Sequence, residues 1–379
     1  MKDFHEALAR CRAPVGTACS LPPACYTDPG VMAAEARAVF GGWVGVGRAD
    51  MMPDPGRYIA LDFAGQSIIL LRDREGALRA FANSCRHRAA RLMEGAGECR
   101  GIKCPFHAWA YRLDGTLAAA PHMEEAEGFD RAEYGLHAYR AEERLGFAFV
   151  CLGEDAPDLD VVLGDFAKLH AGWPLERLVT TRRQEIEVAC NWKAFIEVFN
   201  EYYHLPFVHP DSVNDLYATP DAADDVTGAF ASQFGATEGT GGLLQDAQDK
   251  ALPPMRGLSN EAARGARYTW VFPNMTFAAN TDALWVYEAY PLGPDRCKVV
   301  QSACFPPETL DLEGAQARVA AYHARLDAAL AEDIPALENQ QRGLASPAAK
   351  QGRFQPLLEP NVAKFAAWYA QQMMESDNV

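Results

Sequence analysis

Cys85-Arg86-His87, followed after sixteen residues by Cys104-Pro105-Phe106-His107, is the stretch on which the reading of this chain turns. Two cysteines and two histidines, arranged as Cys-x-His and Cys-x-x-His, offer four ligands on two facing turns. Zinc accepts two thiolates and two imidazoles, so a single zinc ion is one reading. A [2Fe–2S] cluster fits better if each iron takes a matched pair: Cys85 with Cys104 on one iron, His87 with His107 on the other. Imidazoles in place of thiolates raise the reduction potential, which suits a cluster that accepts electrons readily and passes them on.

Short strand-like runs surround this motif. Residues 58–63, 67–71 and 78–82 read as strands, 73–76 as a turn, and the apolar run 145–151 as a buried strand. Residues 50–151 are therefore expected to form a small antiparallel domain. Ahead of it, 29–40 reads as a helix packed on the outside or on a second domain. Downstream, 180–190 reads as a strand entering a larger domain, and the spacing over 192–203 predicts a helix with Phe195, Val198, Phe199 and Tyr202 on one face. Two further strands are expected over 268–273 and 283–290. Residues 220–265, rich in Ala, Gly and Asp and weakly periodic, read as a lid or mobile excursion, or as an ordinary surface loop. Long helices are expected over 312–331 and 362–374.

The whole chain has 379 residues, 49% hydrophobic and 23% charged, enough for two cores without disulfide staples. A net charge of −16 with 35 basic residues argues against a nucleic-acid or anionic-membrane surface and permits a cationic substrate or a basic partner. No signal peptide or membrane span is visible, which implies a soluble cytoplasmic protein. Of ten cysteines, Cys85 and Cys104 alone have histidine neighbours at ligand spacing, and most of the rest are expected to be buried thiols.

A second constellation is Asn191-Trp192-Lys193, Glu201-Tyr202-Tyr203-His204 and His209. If His204 ends or follows a helix and His209 lies one turn on, both imidazoles reach one metal. Together the motifs carry a resemblance. Cys85-Arg86-His87-Arg88 and Cys104-Pro105-Phe106-His107-Ala108-Trp109, continued by Tyr111, Asp114, Gly115 and Pro121, resemble the Rieske motif of ring-hydroxylating and dealkylating non-haem iron oxygenases. Glu201-x-x-His204-x4-His209 resembles the family's Asp-x-x-His-x4-His with Glu in place of Asp, a variant similar to the quaternary-amine-oxidising branch. In Glu332-Asp333-Ile334-Pro335-Ala336-Leu337-Glu338, Asp333 falls on the family's carboxylate ligand position, with Glu332 as the nearby competitor.

The resemblance implies an α+β protein: an antiparallel β Rieske domain plus a larger helix-grip-like catalytic domain with a central antiparallel sheet. The expected division is an N-terminal helical segment over 1–49 packing on the catalytic domain, a Rieske [2Fe–2S] domain over 50–155 and a mononuclear iron domain over 156–379. It also implies a Rieske cluster on Cys85, His87, Cys104 and His107 and mononuclear Fe(II) on His204, His209 and Asp333. In such a homotrimer His107 of one chain would face Glu201 of the next, with Glu201 supporting His204. Since no dinucleotide fingerprint follows a strand, NAD(P)H electrons would come from a separate reductase, with or without a ferredoxin. The implied reaction uses dioxygen to hydroxylate or N-demethylate a small quaternary amine; an aromatic-ring mono- or dioxygenase acting on an aromatic acid is the alternative, and a Rieske electron carrier a third reading. Pocket candidates are Glu197 and Phe199 before the triad, Trp270 and Phe272 on one late strand, Trp285 and Tyr287 on the other, and Asn274 in Phe272-Pro273-Asn274.

Overall fold

Asp73 shows how the first half of the chain is drawn into strands. Its Oδ1 accepts the amides of Glu75 (3.0 Å) and Ala77 (2.8 Å), and Gly76 takes a φ of 82° to complete the turn. In the computed structural model, which describes residues 2–213 and 216–376, this turn joins two strands of a larger set. The set opens with β1 (Trp43–Arg48), β2 (Arg57–Phe63), β3 (Gln66–Arg72), β4 (Leu78–Ala82) and β5 (Ala96–Glu98). Next come β6 (Ile102–Lys103), β7 (Ala110–Tyr111) and β8 (Leu117–Ala119), a small sheet of their own, and then β9 (Ala138–Arg144) and β10 (Phe147–Cys151). The larger sheet runs β1-β10-β9-β4-β3-β2-β5 with antiparallel neighbours. It therefore takes in residues 43–48, where Val44 pairs with Val150, ahead of residue 50.

The second half builds a six-stranded antiparallel sheet from β11 (Val179–Val188), β12 (Phe230–Ala236), β13 (Gly265–Val271), β14 (Met275–Ala279), β15 (Leu284–Gly293) and β16 (Arg296–Phe305). Its order is β11-β16-β15-β14-β13-β12. Side chains alternate across it, so each face has its own partners. On one face Trp270 stacks on Phe365 of the Pro360–Ser376 helix (ring centroids 3.9 Å, 19°), Trp285 meets Tyr322 of the Ala315–Leu344 helix, and Tyr287 meets Phe195 and Phe199 of the Trp192–Phe199 helix. On the other face Phe277 stacks with Phe147 of β10 (4.8 Å) and packs against Phe166 and His170. The sheet is thus a wall shared by the helices and the N-terminal sheet, which confirms the α+β architecture.

The N-terminal helix Pro29–Ala38 is tied to this core through one side chain. Glu35, 1% exposed, accepts Lys193 Nζ (2.6 Å), Trp192 Nε1 (3.0 Å) and Tyr369 Oη (2.5 Å), joining three helices. Asn191 starts the central helix by accepting the Lys193 amide and donates onward to Pro294 O (2.7 Å).

Three sequence expectations change. Residues 220–265 contain β12, paired with β13 from Phe230↔Val271 to Ala236↔Gly265; because both its faces are buried it shows no alternation. The helix expected to run to 203 ends at Phe199, since Asn200 turns its side chain back to Ile196 O (2.7 Å) and receives Thr276 Oγ1 (3.0 Å). The helix expected over 312–331 runs from Ala315 to Leu344, straight through Pro335. Proline there forfeits one amide bond to the Ala331 carbonyl, and tertiary packing of the helix carries it across.

Glu288 on β15 is 2% exposed with Oε1 free of any hydrogen bond. Burial, only partly offset by Arg183 and Lys298, pushes its carboxyl up to about 7. The folded chain therefore holds that proton more tightly than the unfolded one, so the associated stability is present at low pH and is lost as pH rises through about 7. Glu288→Gln is expected to melt like the parent at pH 5 and at higher temperature at pH 8. An identical melting-temperature difference at both pH values would contradict the assignment.

Candidate metal centres

The two loops at the tip of the N-terminal sheet close in the same way. Cys85 N donates to Ala90 O (2.9 Å) and Ala89 N returns to Cys85 O (2.9 Å); Cys104 N donates to Trp109 O (2.8 Å) and Ala108 N returns to Cys104 O (3.2 Å). Each reverses through an alanine in the left-handed region, Ala89 at φ 56° and Ala108 at 58°. That conformation costs a non-glycine residue about 1 kcal/mol, so the surrounding contacts must hold it. The result is two matched loops, each presenting one buried thiol and one half-buried imidazole. The imidazoles of His87 and His107 lie 4.7 Å apart between ring centroids, and Trp109 stacks on His87 (5.0 Å, 11°).

Donor chemistry at this tip suits a cluster with split ligands. Burial works against ionising Cys104, but the amides of Phe106 and His107 outweigh it and lower its pKa, as a thiolate ligand requires. Tyr111 Oη lies 3.3 Å from Cys85 Sγ and accepts the Arg86 amide (3.0 Å), so its hydrogen is available to a ligating thiolate there. Nδ1 of His87 is buried without a hydrogen-bond partner, the atom left over for a metal. Among the described residues, His204, His209 and Asp333 bring three ligand atoms within 4.8 Å of one another, and the four side chains at the tip form no such single-ion group. Two irons fit the tip better than one zinc.

The second centre is built by carboxylates that fix imidazoles. After the Trp192–Phe199 helix ends, Glu201 Oε1 accepts from His204 Nδ1 (2.6 Å), while Oε2 accepts the amides of Tyr203 and His204. One short turn, Leu205–Val208, separates His204 from His209. Nδ1 of His209 donates to Glu332 Oε2 (2.6 Å), which Ser212 Oγ also reaches (2.7 Å). An ionised carboxylate can only accept, so both imidazoles carry their proton on Nδ1 and turn the Nε2 lone pair inward. There they meet Asp333 Oδ1, 3.7 Å from His204 Nε2 and 2.9 Å from His209 Nε2. Despite that approach, Oδ1 is buried with no hydrogen bond of acceptable geometry. Three donors that converge without bonding one another fit a bound metal, and two imidazoles with one carboxylate suit Fe(II) with coordination positions left open. Glu332, the competitor for the ligand position, instead holds His209.

A cavity of about 50 Å³ opens beside these donors, walled by Phe199, Tyr202, Tyr268, Tyr287, Arg325 and Ala329 among others. Of the sequence candidates, Phe199 and Tyr287 reach it. Glu197 lines an adjoining cavity of about 210 Å³ that shares Val198 and Glu201, and its carboxylate accepts Tyr26 Oη (2.6 Å). Trp270, Phe272, Trp285 and Asn274 do not reach the cavity. Trp270 and Phe272 pack on Phe365, Trp285 on Tyr322, and Asn274 donates to Gly45 O (3.3 Å). Trp270 does point to the same face as Tyr268, but the terminal helix covers it. Tyr202, Tyr268 and Arg325 were not foreseen as a wall; their strand and helix parity was readable, and which helix covers which stretch of sheet was not. A wider cleft of about 480 Å³ near Trp173 and Asp224 touches none of the converging donors, so the small cavity is the one the chemistry uses.

A paired thiol–imidazole tip and a two-histidine, one-carboxylate centre on a helix-backed antiparallel sheet define a Rieske non-haem iron oxygenase. Residues 42–137 match the Rieske [2Fe-2S] domain, and 175–375 match the catalytic domain of the ring hydroxylating alpha subunit. The chain belongs to this ring-hydroxylating alpha-subunit family. It is 29% identical to the glycine betaine monooxygenase oxygenase subunit of Chromohalobacter salexigens, over 94% of this chain and 86% of that one. It is 28% identical to the chloroplastic choline monooxygenase of Beta vulgaris, over 92% and 75%. The crystal structure of a quaternary ammonium Rieske monooxygenase with L-carnitine superposes with a TM-score of 0.79 at 25% identity, covering 97% of this chain and 98% of that one. No described helix is long and apolar enough to cross a membrane.

Removing the Glu332 carboxylate should loosen His209 without touching the cluster. Glu332→Gln is expected to weaken ferrous iron binding about 10- to 100-fold, read by chelator competition, with the cluster's visible spectrum unchanged. Asp333→Ala is expected to lose the mononuclear iron and keep the cluster; an unaltered iron content in that variant would remove Asp333 from the ligand set.

Proposed function

We propose that this chain is a terminal oxygenase that hydroxylates a small quaternary amine on an N-methyl group or on the carbon next to nitrogen. The observation that carries the reading is the aromatic wall beside the iron ligands. Phe199 lies 4.6 Å from Tyr287 and 5.3 Å from Tyr268, and Tyr202 lies 5.7 Å from Tyr268, between ring centroids. Ring faces of this kind attract a methylated ammonium that cannot donate hydrogen bonds, by about 0.5–2 kcal/mol for each well-placed ring. The relatives named for glycine betaine, choline and carnitine support the same substrate class.

In the assignment we propose, Cys85, Cys104, His87 and His107 hold the cluster, and His204, His209 and Asp333 hold Fe(II). When bound, the two groups supply single electrons and dioxygen activation. The chain's own part is to fix the imidazoles through Glu201 and Glu332, to exclude water from a narrow cavity, and to set the amine beside the open positions. One dioxygen, two electrons and two protons then yield a carbinolamine and water. Collapse of an N-hydroxymethyl product breaks its C–N bond, with nitrogen keeping the electron pair, and releases formaldehyde and a proton; hydroxylation of the neighbouring chain carbon releases trimethylamine.

Electrons would come from NAD(P)H through a separate reductase, with or without a ferredoxin, and the working form would be a cytoplasmic homotrimer. Phe106, 58% exposed beside His107, and Phe207, 75% exposed between the iron-site histidines, are apolar surfaces that subunit contact would cover. Across such a contact Glu201 would link the cluster of one chain to His204 of the next.

Iron-loaded, chemically reduced protein given dioxygen and a mixture of quaternary amines and aromatic acids should convert an amine, with formaldehyde or trimethylamine in matching yield by mass spectrometry. A ring product gaining one oxygen or a cis-diol, with neither volatile product, would reverse the substrate assignment. Glu201→Ala should keep the cluster spectrum and lose most coupled product, and normal product formation in that variant would rule out its linking role.

A further inference from the structure

Three arginines are buried among the described residues: Arg48, Arg267 and Arg325. Two are neutralised within the fold. Arg48 pairs with Asp50 (3.3 Å) and donates to the carbonyls of Leu175 and Leu178, and Arg267 pairs with Asp224 and Glu261. Arg325, 5% exposed, is different. Among the described residues no carboxylate lies within ion-pair distance of it; its one side-chain bond is a long donation from Nη2 to Tyr217 Oη (3.4 Å), and Nε has no partner. A guanidinium removed from water and left unpaired is costly, so a fold that keeps one there usually presents it to something that arrives later.

Its position says where that partner would sit. Arg325 lines the cavity beside the iron ligands together with Tyr268, Tyr287, Ala329 and Asp333. Arg325, Ala329 and Asp333 follow one another at intervals of four on a single helix, so they share a face, with the first and last about 12 Å apart along the axis. Ala329, the small residue between them, leaves a hollow bounded by a cation at one end and the iron ligand at the other. The aromatic rings of Phe199, Tyr268 and Tyr287 line the same cavity.

We propose that Arg325 anchors a carboxylate of the substrate, so that the physiological substrate is a zwitterionic betaine, an N-methylated ammonium carrying its own carboxylate. This rests on the quaternary-amine reading above and narrows it. The carboxylate pairs with the guanidinium in a desolvated setting, where such charge-assisted bonds are strong, and the ammonium end is left to the rings and the iron. An ammonium alcohol such as choline brings a positive charge and no counter-charge into a cavity that already holds Arg325, and is selected against.

The test is single-turnover oxidation by iron-loaded, chemically reduced protein, titrated separately with glycine betaine, L-carnitine and choline. In the wild type a betaine is expected to half-saturate at least about tenfold below choline. Losing one partner of a buried charged pair costs at least about 30-fold in affinity, so Arg325→Gln should raise the betaine half-saturation by that factor or more. Its product yield at saturation should fall far less, and its choline half-saturation should drop. Arg325→Lys should recover part of the betaine affinity, and an unchanged cluster spectrum shows that each variant is folded. If either variant fails to fold, the wild-type ratio still decides. Choline half-saturating at the same concentration as the betaines would overturn the carboxylate anchor and leave the amine reading standing. Consumption of none of the three amines would overturn both.

Discussion

Two imidazole protons order the catalytic half of this protein. Glu201 takes the Nδ1 hydrogen of His204 and Glu332 takes that of His209, each at 2.6 Å, so each ring is fixed in tautomer and in rotation. Both Nε2 atoms are thereby delivered to Asp333, which comes from a helix more than a hundred residues further along the chain. Without the carboxylates, each imidazole would lose the hydrogen bond that sets its rotation and the donor set would exist only part of the time. The two acids also divide the labour. Glu332 supports one ligand and also accepts Ser212 Oγ, while Glu201 supports the other and caps the amides of Tyr203 and His204.

That arrangement needs the long helix to sit in one place relative to the Glu201–His209 turn; Gln341 on that helix supplies the register, and Glu35 ties the helix before the histidines to the N- and C-terminal helices. Lys193, Trp192 and Tyr369 meet on one buried carboxylate, and the Asn191 amide is held by Gln341 Oε1 (2.8 Å), a residue of the same helix that carries Asp333. Breaking one side of a buried ion pair typically costs 3–5 kcal/mol, because the remaining charge is stranded. The consequence here is positional as well as energetic. The helix bearing the carboxylate ligand is docked onto the helix preceding the histidines through the Gln341–Asn191 hydrogen bond as well as apolar contact, and a directional bond fixes register better than apolar packing does.

Much of this was legible in the residues. The paired Cys/His loops and the His-x4-His spacing stand on chemistry that is local in sequence, whereas the choice of Asp333 over Glu332 came from the resemblance alone; the structure gathers His204, His209 and Asp333. Strands β10, β13 and β15, buried on both faces, were readable as apolar or aromatic runs; β12 and β14, short and rich in Ala, Gly, Ser and Thr, were not. The Pro335 helix was misjudged because proline's local penalty is visible in a sequence and the packing that outweighs it is not. The pocket was half legible for a related reason. Parity put Trp270 and Tyr287 on the right face of their strands, but only tertiary contacts decide that Phe365 covers Trp270 while Tyr287 is left facing the iron ligands. Arg325 was invisible as a functional group: on a helix it reads as one more basic surface residue, and its lack of a carboxylate partner among the described residues is a property of three dimensions.

The central claim is that a substrate amine is bound next to iron held by His204, His209 and Asp333, in a chain that also carries a Rieske cluster. Electron paramagnetic resonance of the reduced, iron-loaded protein exposed to nitric oxide tests it in one sample. The account predicts a reduced-cluster signal together with a ferrous–nitrosyl signal whose line shape changes when a betaine is added, because the two ligands would share one small cavity. A ferrous–nitrosyl signal indifferent to every quaternary amine, or absent from protein that has its full cluster signal, would contradict it.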